Sequence, residues 1–131
     1  MEKSRIVIGE DDPSVLKVTT ARLEHEGYEV LPASDGEAVL REVETHLPIQ
    51  LILLDVRMPK LNGYEVCREL KHHVATAQIP VILFTASEAH LIHLTDRCIE
   101  MGAADWIKKP FQTKELMSKI HRVLGEEEGH G

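Results

Sequence analysis

The sequence predicts an α/β domain, a doubly wound five-stranded parallel sheet with helices on both faces. One observation is Leu51-Ile52-Leu53-Leu54, four large apolar residues in a row, the mark of a strand covered on both sides. Another is the alternation of five short apolar runs with five helical stretches through short connections. Right-handed crossovers then place helices on both sides of one parallel sheet. The third is size: 131 residues, 43% of them hydrophobic, enough for one domain to bury a core of its own.

The elements follow in order. Arg5-Ile6-Val7-Ile8-Gly9 reads as the first strand, ending in Glu10-Asp11-Asp12. Gly9 is expected to end that strand early or bend it. Asp12-Pro13 starts a helix, with an acid at the N-cap and proline at the first helical position. That helix runs to about Glu26 and stops at Gly27. Tyr28 to Leu31 is a second strand, and Asp35-Gly36 opens a second helix with an apolar stripe of Val39, Leu40, Val43 and Leu47. The third strand ends at Asp55, after which Met58-Pro59 and Asn62-Gly63 turn the chain into a helix carrying Val66, Cys67 and Leu70. Pro80 to Phe84 is a fourth strand, ending at Thr85-Ala86-Ser87, and a helix to about Met101 closes on Gly102. Ala103 to Ile107 is a fifth strand, ending at Lys108-Lys109-Pro110. A last helix from about Thr113 buries Leu116, Ile120, Val123 and Leu124. Residues 1–125 read as one domain, and 126–131 as a tail or the start of a linker.

Composition excludes several classes. A net charge of −7 argues against direct binding of nucleic acid or anionic lipid. No stretch reaches the roughly 20 apolar residues of a membrane span, and the N-terminus has no signal-peptide pattern. Cys67 and Cys98 are isolated and are expected as buried thiols. These features point to the cytoplasm. Of eight histidines, only His72-His73 and His90-x-x-His93 lie close together, on polar helical faces and without a third metal ligand.

The strand ends carry the chemistry. Glu10, Asp11 and Asp12 end strand one, Asp55 strand three, Thr85 strand four and Lys109 strand five. Open α/β sheets present their binding crevice at this edge. Carboxylates crowded there repel one another unless a cation neutralises them. Mg²⁺, a hard cation with oxygen ligands, suits such a cluster. A hydroxyl and an ammonium facing that cation complete a place for a phosphoryl group, with a carboxylate as nucleophile. Each residue alone is commonplace, since an aspartate ending a strand is usually a cap. Their joint order is not.

The chain resembles the receiver domain of two-component response regulators, a flavodoxin-like (βα)5 fold. The likeness runs from about Arg5 to Leu124. It rests on Glu10-Asp11, on Leu54-Asp55-Val56-Arg57-Met58-Pro59 with Gly63, on Phe84-Thr85-Ala86 and on Lys109-Pro110-Phe111. The resemblance implies that Asp55 accepts a phosphoryl group from a sensor histidine kinase or a phosphotransfer protein. Glu10, Asp11, Asp55 and the backbone carbonyl of Arg57 would bind Mg²⁺. Thr85 and Lys109 would contact the phosphoryl oxygens, and Thr85 and Trp106 would form a switch. The bland alternative for Trp106 is a partly buried surface aromatic. The resemblance further implies a cis Lys109-Pro110 bond and self-phosphorylation from small donors. An output domain or partner protein would meet the face made by the fourth helix, fifth strand and fifth helix, in a monomer or a phosphorylation-linked dimer. Arg57, two residues past Asp55, is close enough to influence phosphoryl lifetime. Trp106 is bulkier than the family's usual Tyr or Phe.

Two other classes fail on a residue. An Mg²⁺-dependent phosphatase of the haloacid-dehalogenase type needs a second acid two residues after its nucleophile, and here that residue is Arg57. A flavodoxin-like cofactor module needs a phosphate-cradling loop after strand one, where Glu10-Asp11-Asp12 carries the wrong charge. A phosphorylation-independent docking module remains as the alternative. Between a stand-alone receiver and a domain of a longer regulator, the Glu-rich tail favours the second.

Overall fold

The computed structural model describes residues 3–86, 100 and 102–126. Its strands are β1 (Arg5–Gly9), β2 (Glu29–Ala33), β3 (Leu51–Asp55), β4 (Val81–Thr85) and β5 (Asp105–Lys108). The helices among the described residues are α1 (Pro13–His25), α2 (Gly36–Thr45), α3 (Gly63–Lys71) and α4 (Thr113–Leu124). All neighbouring strands pair in parallel, in the order β2-β1-β3-β4-β5. The five parallel strands agree with the predicted fold. The helix expected between Ser87 and Met101, with Cys98, His90 and His93, lies outside the described residues, Glu100 apart.

Alternation along the strands divides the core into two layers. Val7, Ile52, Leu54 and Leu83 face α2 and α3, where Val39, Val43, Val66, Cys67 and Leu70 meet them. Ile8, Leu53, Ile82 and Phe84 face α1 and α4, against Leu23, Leu116, Met117 and Ile120. The unbroken apolar run of β3 is thereby explained, because neither of its faces meets water. Each such side chain contributes about 1.5–3 kcal/mol on burial.

Caps fix the helix starts as the sequence indicates. Asp12 Oδ1 accepts from the backbone N–H of Ser14 (2.9 Å) and Val15 (3.3 Å), and Asp35 Oδ1 from that of Ala38 (2.8 Å). Asn62 and Glu65 form a reciprocal capping box at α3, both bonds at 2.9 Å.

Several expectations are corrected. β1 does not end early or bend at Gly9, which keeps register with Ala33 and Leu54. Glycine is there because an added Cβ would stand 2.6 Å from Val39 Cγ2 and 3.0 Å from Met58 Sδ. β2 starts at Glu29 and runs on through Pro32, which an outer strand tolerates. α2 stops at Thr45, so Leu47 is not part of its stripe and is 40% exposed. Pro48 disfavours helical backbone in the residue before it. β4 and β5 each end one residue later than predicted, and β5 starts at Asp105. On α4, Met117 is buried while Val123 and Leu124 are only half-buried. His72 caps the end of α3, and His73 pairs with Glu69 at 3.7 Å on the surface.

Candidate functional site

β1 and β3 are neighbours, with Gly9 opposite Leu54, so the residues that follow, Glu10 and Asp55, emerge side by side. Asp55 pairs with Phe84 on its other flank, placing Thr85 one residue further along that edge. Thr85 in turn pairs with Lys108, and its carbonyl accepts from the Lys109 backbone N–H at 2.7 Å. Phe111 steadies the Lys109-Pro110-Phe111 turn by packing on Phe84, ring centroids 5.3 Å apart and tilted by 40°. The Lys109-Pro110 bond is cis, as the resemblance implied.

Lys109 Nζ donates to Asp55 Oδ2 at 2.6 Å and also to Glu10 Oε1. Both carboxylates are almost fully buried, Glu10 at 1% exposure and Asp55 at 6%. Carboxylate oxygens of Glu10, Asp11 and Asp55 all lie within 4.8 Å of one another, and Asp11 faces solvent. Asp55 Oδ1 accepts from the Arg57 backbone N–H at 3.0 Å, while Glu10 Oε2 accepts from that of Asp12 at 3.2 Å. An open cleft begins at Asp11 and continues past Arg57, Met58 and Pro59 to Asn62. Three clustered carboxylates, with one side open to water, fit a divalent cation that keeps part of its water shell.

Electrostatics follow from this crowding. Burial, then the hydrogen bond and charge of Asp55, push the Glu10 carboxyl up to about 7, against the downward pull of Lys109 and the Asp12 N–H. Burial alone would lower the Lys109 ammonium. Its bonds to Asp55 and Glu10 outweigh that and hold it above the ordinary value.

The sequence-predicted residues Glu10, Asp11, Asp55, Thr85 and Lys109 therefore converge. Trp106 stands one strand away, half-buried, opposite Leu83. Arg57 contributes a backbone N–H to Asp55 and points its side chain to solvent. From the sequence, Gly36 reads only as part of the Asp35-Gly36 helix start, and Gly63 only as a turn and motif residue. A Cβ on Gly63 would lie 2.6 Å from the Asp55 carbonyl oxygen, and one on Gly36 2.2 Å from that of Leu61. These two glycines let the starts of α2 and α3 close onto the loop after Asp55. The Asp35-Gly36 and Asn62-Gly63 pairs were the only available signal.

Residues 6–121 match the family model of the response regulator receiver domain, and the chain belongs to that family. It is a phosphoacceptor receiver domain of the two-component type. The chain is 40% identical over 126 residues to a probable transcriptional regulator, ycf27, of Porphyridium aerugineum, covering 95% of this chain and 49% of that protein. Over 124 residues it is 35% identical to the alkaline phosphatase synthesis transcriptional regulatory protein PhoP of Bacillus subtilis, covering 95% and 50%. The chain thus spans about half the length of these curated relatives. Among solved structures, it superposes with a TM-score of 0.84 on the receiver domain of sensor histidine kinase PA1611 from Pseudomonas aeruginosa. The two are 31% identical, covering 95% of this chain and all of that one, and that structure has a magnesium ion coordinated in its active-site cleft. Among the described residues, no helix is long and apolar enough to cross a membrane.

Proposed function

We propose that Asp55 is the phosphoacceptor and that a sensor histidine kinase or phosphotransfer protein supplies the group. The observation that carries this reading is the buried Asp55 carboxylate on the Lys109 ammonium, with Glu10 and Asp11 beside it. An Asp55 oxygen attacks phosphorus, the phosphorus–nitrogen bond of the donor phosphohistidine breaks, and imidazole leaves with the electron pair. Lys109 Nζ, now on Asp55 Oδ2, turns to a phosphoryl oxygen and offsets the charge that builds there. Thr85, at the adjacent strand end, offers its hydroxyl to another.

Glu10, Asp11, Asp55 and the Arg57 carbonyl would hold Mg²⁺. When bound, that ion supplies the positive charge that lets an anionic donor approach this acidic edge. The acidic cluster and the magnesium-bearing receiver of PA1611 support this assignment. Phosphorylation then biases Thr85 and Trp106, a local charge change acting on packing. The face around β5 and α4 meets an output domain or partner. Residues 1–125 act as the receiver, with 126–131 as a tail or the start of a linker, and small donors such as acetyl phosphate also phosphorylate the domain. Transcriptional control is the output favoured by the two regulators described above.

Intact-mass spectrometry after incubation with acetyl phosphate tests the reading. One phosphoryl adduct is expected, dependent on Mg²⁺ and abolished by Asp55→Asn. An adduct that persists in Asp55→Asn moves the acceptor elsewhere.

A further inference from the structure

One cluster of side chains lies beside the proposed switch but has no part in phosphoryl transfer. Asp105 Oδ1 accepts from the Trp106 backbone N–H at 2.8 Å and from Lys119 Nζ at 3.2 Å. The same ammonium stands 5.9 Å from the centroid of the Trp106 ring, within reach of the attraction between a cation and an aromatic face. Asp105 and Lys119 are largely shielded, with side-chain exposures of 19% and 20%.

The topology makes this contact unusual. Trp106 packs on the α2–α3 side of the sheet, whereas Ile107 and α4 belong to the opposite layer. Lys119 starts from α4. It therefore reaches around the edge of β5, the outer strand of the sheet among the described residues, to meet a ring on the other face. Asp105 holds both the Trp106 main-chain N–H and the Lys119 ammonium. A ring leaving this place must give up the cation and loosen the cluster.

We propose that Lys119 is a positioning residue of the switch: anchored on Asp105, its ammonium holds Trp106 at the rim of β5 and opposes the ring's inward movement. This rests on the reading of Trp106 as the switch aromatic. Lys119→Met keeps the length of the side chain but removes the charge, and Lys119→Arg restores it. Trp106 is the only tryptophan, so its fluorescence reports the cluster without interference.

The test has two readouts on the full chain. With no ligand added, acrylamide should quench Trp106 more strongly in Lys119→Met than in the natural protein or Lys119→Arg. With Mg²⁺ present, the Trp106 response to beryllofluoride should reach its midpoint at roughly two- to five-fold lower concentration in Lys119→Met. Lys119→Arg should respond like the natural protein. Equal quenching in all three proteins overturns the restraint itself. Altered quenching with an unchanged beryllofluoride midpoint leaves a merely structural contact and overturns the role in switching. If Trp106 of the natural protein ignores beryllofluoride while the phosphoryl adduct still forms, the switch reading of Trp106 falls and takes the proposal with it.

Discussion

Burial beside Asp55 holds the Glu10 carboxyl at about 7, against an ordinary 4.5. Between those values the folded, metal-free domain binds a proton that the unfolded chain has released. Its stability therefore falls as pH rises from about 4.5 to about 7. A divalent cation needs the same carboxylate ionised, so its binding strengthens over the same span. Below about pH 7 the apparent Mg²⁺ affinity should weaken by close to tenfold per pH unit, one proton being displaced per ion. Calorimetric titration at several pH values checks this. In Glu10→Gln the metal-free melting temperature should lose most of its decline between those pH values. A decline as steep as in the natural protein would place the titrating group elsewhere.

The loop between β3 and α3 shows how an element, rather than a residue, shapes the site. Asn62 and Glu65 cap α3 so that the helix starts against the Asp55 backbone, and only a residue without a side chain fits at Gly63. In Gly63→Ala the new methyl would fall 2.6 Å from the Asp55 carbonyl oxygen and 2.9 Å from Val56 Cα. Backbone, unlike a side-chain tip, cannot step aside by rotation. The substitution should cost about 1–3 kcal/mol, read by urea denaturation. It should also slow adduct formation from acetyl phosphate, because Asp55 and its Arg57 N–H partner shift together. Full stability with natural reactivity would show that the loop adapts freely.

At the scale of the whole molecule, the C-terminal end of the described chain is tied back to the start of the second strand. The Tyr28 hydroxyl, just before β2, donates to Glu126 Oε1 at 2.5 Å. Burial and the neighbouring Glu126 push its ionisation further up from the ordinary tyrosine value. Gly125, in the left-handed region at φ 72°, ends α4 and turns Glu126 toward this bond. Tyr28→Phe should release that last turn at a cost of about 1 kcal/mol. Hydrogen exchange of the amides from His121 to Glu126 should rise while that of β3 and β4 stays unchanged. Exchange rising throughout would mean a general loss of stability rather than a clasp.

Local signals were enough for the parallel sheet, the caps and the residues of the acidic edge. Apolar run length, Asp12-Pro13 and Asn62-Gly63, and residues placed at strand ends are all local signals of physical chemistry. They misjudge what depends on neighbours. Gly9 reads locally as a strand break, whereas in the fold Val39 and Met58 fill the space that a side chain there would need. Leu47 matched the stripe of α2, but the helix had already stopped ahead of Pro48. The number of residues at the edge was legible; their pairing was not. That Lys109 joins Glu10 to Asp55, that Phe111 rests on Phe84 and that Lys119 reaches Trp106 around β5 is set by the folded arrangement. Those contacts link residues far apart in the chain, and strand order, crossover and packing, rather than any local preference, bring such residues together.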